Sequence, residues 1–126
     1  MKVYELQHIC DGAVRALGFY SSLKKRDEAI EKYRKTEELR DYPMSFVTFE
    51  HNIYDGKAVY LAQVLISCED SGFAYAKTIG VFAREADADK AVQSFIERNR
   101  GNLEDEALTI ELAIDTYRLD EMQEVE

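Results

Sequence analysis

Hydrophobic positions alternate at the start of the chain: Tyr4, Leu6, His8 and Cys10 fall on one face of an extended segment, and Val3, Glu5, Gln7 and Ile9 on the other. Period two over eight residues predicts a strand from Val3 to Cys10. Asp11-Gly12 follows, a dipeptide that tolerates positive φ at both central positions of a type I′ turn, so a second strand, 13–20, should fold back on the first. The period then changes. Ala29, Ile30 and Tyr33 form a narrow apolar stripe, with Ser21 or Ser22 ahead of it able to accept from free helix N–H groups. Glu28 to Lys32 and Glu31 to Lys35 stand in the favourable order four residues apart, so a helix is predicted over 23–39. Arg40-Asp41-Tyr42-Pro43 ends it, because the proline pushes Tyr42 out of the helical region.

The same order of patterns then returns. A third strand, 46–53, leads to Asp55-Gly56, which reads as a second hairpin signal. A fourth, 58–68, is apolar on both faces and should be central. Glu69-Asp70-Ser71-Gly72 reads as a hairpin loop into a fifth strand, 73–82. A helix over 85–99 carries Ala88, Ala91, Val92, Phe95 and Ile96 as its stripe. A sixth strand, 107–116, alternates Leu108, Ile110, Leu112 and Ile114 with polar or small residues.

Leu17-Gly18-Phe19-Tyr20-Ser21 returns as Ile79-Gly80-Val81-Phe82-Ala83, and the same offset of 62 places Ala29-Ile30 on Ala91-Val92 and Tyr33 on Phe95. Val3-Tyr4-Glu5-Leu6-Gln7 returns as Val59-Tyr60-Leu61-Ala62-Gln63. The expected fold is therefore α+β: a single domain, 1–126, made of two tandem ββαβ repeats (about 1–56 and 57–116), with an acidic tail, 117–126, read as a short helix or a frayed end. Antiparallel strands with two helices packed on the sheet would form a fused pseudo-dimer. With both hairpin signals taken at face value, the third strand of each repeat pairs in the other half. The expected sheet orders are 3-4-5 and 6-1-2.

One resemblance emerges from the first half. Val3-Tyr4, Gly18-Phe19-Tyr20-Ser21-Ser22, Ala29, Arg40-Asp41-Tyr42-Pro43 and Phe46 resemble a small bacterial domain family of unknown function, over roughly residues 3 to 53. The second half keeps the glycine and the helix stripe but has no Arg-Asp-Tyr-Pro, and Glu38-Leu39 stands where the family pattern has Gly-Phe. The resemblance implies no activity and assigns no site residues.

Composition narrows the function classes. The 126 residues are 46% hydrophobic and 33% charged with one proline, which describes a chain able to bury a core. No apolar run reaches 18 residues, and the first residues lack a signal-peptide core, so a cytoplasmic location is expected. The formal net charge is −9. Residues 1–57 hold ten basic and ten acidic side chains, while residues 58–126 hold six and fifteen. An excess confined to the second half disfavours nucleic acid and anionic membranes and favours solubility, as a solvated acidic face, or a basic protein partner.

Chemistry-bearing motifs are few. Phosphate loops, nucleophile elbows and zinc-protease helices are missing, which weighs against an enzyme of a common class. Two cysteines and two histidines show no metal-ligand spacing, and no cofactor motif occurs. His8 and Cys10 share a strand face but stand about 6–7 Å apart, too far for base and thiol to touch. The preferred reading is a non-catalytic cytoplasmic protein that binds another protein, in the manner of an antitoxin, immunity or regulatory factor. Its contact residues would be the turn-borne Tyr42 and Tyr54 with the acidic run Glu104, Asp105 and Glu106. The alternative is a small-molecule binder or enzyme with a pocket between the repeats, where His8, Tyr4 and Tyr60 would meet.

Overall fold

A computed structural model describes residues 1–53, 56–68, 72–103 and 109–125. In chain order the elements are β1 (Lys2–Cys10), β2 (Ala13–Tyr20), α1 (Leu23–Tyr33), β3 (Phe46–Asn52), β4 (Ala58–Cys68), β5 (Phe73–Phe82), α2 (Glu85–Arg98), α3 (Arg100–Leu103) and β6 (Thr109–Arg118). The fold is α+β, with two antiparallel three-stranded sheets ordered β2-β1-β3 and β5-β4-β6. Two compact units divide the chain: unit 1 holds Met1–Lys57 with Tyr117–Glu126, and unit 2 holds Ala58–Thr116.

The strand exchange expected from the hairpin signals does not occur. β3 pairs with β1 through seven consecutive positions, from Lys2↔Asn52 to His8↔Phe46, and β6 lies beside β4. Asp55 of the supposed hairpin lies outside the described residues. On either side of it the chain is tied down as a link, with Ile53 N donating to Met1 O (2.9 Å) and Leu119 N donating to Lys57 O (2.9 Å). β1 has β2 on one edge and β3 on the other, which leaves no edge for β6, while β3 ends its sheet as an outer strand and β4 is the middle strand of the other sheet.

The first hairpin forms as the sequence requires. Asp11 and Gly12 adopt φ of 51° and 81°, the two positive values of a type I′ turn, and Cys10 pairs with Ala13 across it. Further along, the register slips: Glu5 faces Phe19 but Gln7 faces Ala16, so β2 holds one extra residue opposite Leu6. Gly18 sits in that bulge at φ 108°, a conformation that only glycine adopts freely. β5 slips likewise, with Ala62 facing Gly80 and Gln63 facing Thr78.

Ser22 caps α1 by accepting from Lys25 N (3.1 Å). The helix stops at Tyr33, six residues before the expected end. Thr36 is the reason: its hydroxyl donates to Tyr33 O at 2.6 Å and competes for a carbonyl the helix would use. A helix carried on would also put Thr36 and Glu37 where the stripe needs apolar side chains. Instead a series of tight turns brings Leu39 into the core with Leu6, Leu17, Tyr20, Ala29 and Tyr33. Unit 2 has its own core, in which Ala62, Ala88 and Val92 are flanked by Tyr60, Ile96, Leu112 and others. β4 is central in its sheet, as its two apolar faces predict.

Residues 117–125 form neither a helix nor a loose end. β6 runs on to Arg118, Leu119 makes a parallel bridge with Phe19, and Met122 and Val125 pack against the unit 1 core.

Candidate functional site

The turn between α1 and β3 presents the most exposed apolar side chains of unit 1 that share one loop. Tyr42 is 46% exposed and Met44 86%, with Pro43 exposed between them. Such a loop would ordinarily be loose, but this one is held by five hydrogen bonds. Tyr42 N donates to Leu39 O (3.1 Å), Ser45 N to Tyr42 O (3.3 Å) and Ile9 N to Ser45 O (2.9 Å). Arg34 Nε donates to Pro43 O (3.1 Å) while its guanidinium lies 5.9 Å from the Phe46 ring centre.

The fifth comes from His8. Its side chain is buried, and Nε2 lies 3.1 Å from Tyr42 O. A carbonyl oxygen only accepts, so Nε2 bears the proton. The imidazole edge also meets Phe46 with ring centres 5.1 Å apart. His8, singled out as a ligand residue, thus holds the backbone of Tyr42, singled out as a partner residue. Tyr4 is half-buried on β1 between Tyr20 and Glu50, and Tyr60 is half-buried against the unit 2 core. Tyr54, Glu104, Asp105 and Glu106 lie outside the described residues.

Two polar arrangements in unit 1 escaped the sequence reading. Glu5, 5% exposed, receives His51 Nε2 on one carboxylate oxygen (2.8 Å) and Gln7 Nε2 on the other (3.0 Å). Phe19 lies beside the His51 ring at 6.1 Å and Tyr117 beside Phe19 at 5.1 Å. The repeat did hold a signal, because the position matching Glu5 is Leu61, which is buried as well. Both carboxylate oxygens are taken by neighbours, so this group acts as a buried strut.

The second arrangement is built on Asp120, which adopts φ 64°. Its carboxylate accepts from Ser21 N (2.8 Å), Ser21 Oγ (2.7 Å) and Lys25 Nζ (3.1 Å), and its own N–H donates to Phe19 O (2.8 Å). Partial burial alone would raise its pKa, but the Ser21 hydrogen bonds and the Lys25 ammonium outweigh that and hold it below the usual carboxylate value. A depressed folded value means that the clamp stabilises at neutral pH and is lost as pH falls through it. No sequence signal marks Asp120 apart from the other acids of the tail.

Next to the clamp, the Tyr33 hydroxyl accepts from Gln123 N (2.6 Å) and lies 3.1 Å from both Leu17 O and Gln123 O, to one of which its single proton can be donated. Tyr20 donates to Leu17 O at 2.7 Å. Burial pushes both phenols above their ordinary value, so they stay neutral hydrogen-bonding groups at any physiological pH. Tyr33→Phe removes the hydroxyl but keeps the packed ring. It should cost about 1 kcal/mol in urea unfolding, with faster amide exchange at Gln123 and no change at Leu6.

Thiol chemistry has little support. Cys10 Sγ lies 3.7 Å from Asp11 Oδ2, and partial burial followed by that carboxylate raises its pKa, which disfavours the thiolate. Among the described residues no group of three His, Cys, Asp or Glu side chains is placed to hold a metal ion. No helix of the described residues is long and apolar enough to cross a membrane. Comparison with known protein families, curated proteins and solved structures returns no match.

Proposed function

We propose that this is a non-catalytic cytoplasmic protein that works by binding another protein through the Tyr42–Met44 loop. The supporting observation is the pairing of exposure with rigidity: Tyr42 and Met44 project from a loop whose backbone is fastened to β1 and α1. Aromatic and methionine side chains are enriched at interface centres, and a loop already ordered loses little entropy on binding. Exposed acids (Glu37, Glu38 and Asp41) and bases (Lys35 and Arg40) both adjoin the loop, which suits a partner with a mixed polar rim. The acidic excess of residues 58–126, including Glu104, Asp105 and Glu106, then serves long-range steering.

Tyr42→Ala with Met44→Ser is the test. Partners that bind the wild-type chain, identified by mass spectrometry and then titrated, should bind the variant at least about 30-fold more weakly, as for a hot spot of 2 kcal/mol or more. The melting temperature should fall by no more than a few degrees, since Met44 faces water and Tyr42, about half exposed, loses only an edge contact with the His8 ring (centres 6.4 Å apart). Equal affinity for wild type and variant would remove the loop from the reading. Charge reversal at Glu104, Asp105 and Glu106 should alter chiefly the association rate and its salt dependence.

We also read the two units as tandem ββαβ repeats, the halves of a fused pseudo-dimer. Support comes from the bulges at Gly18 and Gly80 and from two matched buried pairs, Glu5 with Leu61 and His8 with Val64.

A further inference from the structure

The segment after β6 lies on unit 1 in the manner of a bound peptide. Leu119 bridges Phe19 at the edge of β2 not occupied by β1, and Asp120 N donates to Phe19 O. Three side chains are read. The Asp120 carboxylate enters the Ser21–Lys25 clamp, and Met122 and Val125 pack on the core. Gln123 is held through its backbone, whose N–H and C=O both meet the Tyr33 hydroxyl. Glu121 and Glu124 are exposed between these anchors. One bridge and one backbone hydrogen bond join the segment to the β2 edge, and after the turn at Asp120 (φ 64°) side-chain anchors and the Tyr33 hydroxyl hold the rest.

The surface on which the segment lies is supplied by the first 57 residues. Every fully buried member of the core beneath, Leu6, Leu17, Tyr20, Ala29, Tyr33 and Leu39, comes from the first 57 residues, whereas Met122 and Val125 are only half-buried. We propose that unit 1 has a peptide-binding groove along the β2 edge, that its occupant in a complex is a partner segment of pattern Asp-x-Met-x-x-Val that turns at its aspartate as Asp120 does, and that Asp120–Val125 is its resident, exchangeable ligand. A tethered ligand competes at an effective concentration on the order of millimolar, so a partner segment present at about micromolar concentration must bind about a thousandfold more tightly than the tail does. This groove is separate from the Tyr42–Met44 loop and stands or falls without it.

The experiment uses the full chain with a protease site inserted between Arg118 and Leu119, cut after folding. A labelled peptide of residues 119–125 is then titrated in. The cut protein should keep its circular dichroism and take up the peptide in exchange for its own tail. Asp120→Ala in the peptide should weaken binding at least about tenfold through loss of the charge-assisted hydrogen bonds. Alanine at Glu121 and Glu124 should change it by less than about threefold, as expected of exposed charges. Peptide uptake with this ranking supports the groove. A folded cut protein that neither keeps its tail nor takes up the peptide overturns it, and so does equal binding of the Asp120→Ala peptide. Unfolding on cleavage overturns it as well, because the tail would then be part of the fold and not a ligand.

Discussion

Gly18→Ala should destabilise the protein by about 2–3 kcal/mol, the range for a non-glycine residue forced into a sparsely allowed conformation. The φ of 108° is the first cause. The second is space: a Cβ at Gly18 would stand 2.9 Å from Glu121 O, a backbone atom of the docked tail, and 3.3 Å from the Tyr20 hydroxyl. A backbone carbonyl cannot swing aside, so the substitution strains β2 and also pushes on the tail. Gly80→Ala is the control, because Gly80 is in the corresponding bulge without a positive φ. Its Cβ would meet the far end of the Phe82 ring at 2.6 Å, and a half-buried ring can turn away. Crowding there of about 1 kcal/mol is partly offset by the roughly 0.4–1 kcal/mol that a methyl removes from unfolded-chain freedom. Equilibrium urea unfolding of the two variants checks the contrast, with amide exchange at Gln123 reporting the tail. Equal costs at the two glycines would show that the bulges, and not the φ or the tail contact, set the penalty.

What could be read from the sequence was what local chemistry decides. Asp11-Gly12 fixed its own turn because the positive φ pair is intrinsic to those residues, and the two-sided apolar pattern of β4 predicted a central strand. Asp55-Gly56 failed because a dipeptide reports what the backbone tolerates, whereas strand partners are chosen by whole registers. With β2 on one edge and β3 on the other through seven pairs, β1 has no edge left for β6, so the exchange of third strands fails whatever the turn dipeptide allows. The overshoot of α1 has a similar origin: charge pairs four residues apart made 23–39 look helical, but Glu31 pairs with Arg34, and Thr36 and Leu39 redirect the chain.

The candidate site shows the same division. Tyr42 was picked out because a turn aromatic is an exposed aromatic, an argument from the residue and its neighbour Pro43. His8 was weighed as a ligand, yet its use could be found only once β1 and the 34–45 turns were placed side by side. Asp120 was hidden for a different reason. Tail acids look alike in sequence, and only the docked path of the chain brings one of them to Ser21 and Lys25.

The Glu5–His51 strut gives the second large effect. His51→Leu should cost about 3 kcal/mol, where the range for a hydrogen bond to a charged group meets that for breaking a buried pair. It leaves a carboxylate that is 5% exposed with Gln7 as its one remaining partner. Glu5→Leu should cost only about 1 kcal/mol, because the imidazole left behind is a quarter exposed and can turn to water. The double variant should lie close to wild type. Leu61 fills the position matching Glu5 in unit 2 and is buried there, so a leucine is compatible with this place on a central strand. A well-packed apolar pair often equals or exceeds the buried polar pair it replaces. The cycle should therefore yield a coupling of roughly 2–4 kcal/mol, larger than additive behaviour at separated sites allows. Four urea melts measure it. If the double variant loses the sum of the two singles, the coupling is zero and Glu5 and His51 do not act as a pair. If His51→Leu alone costs less than about 0.5 kcal/mol, water reaches Glu5 and the pair is not a strut at all.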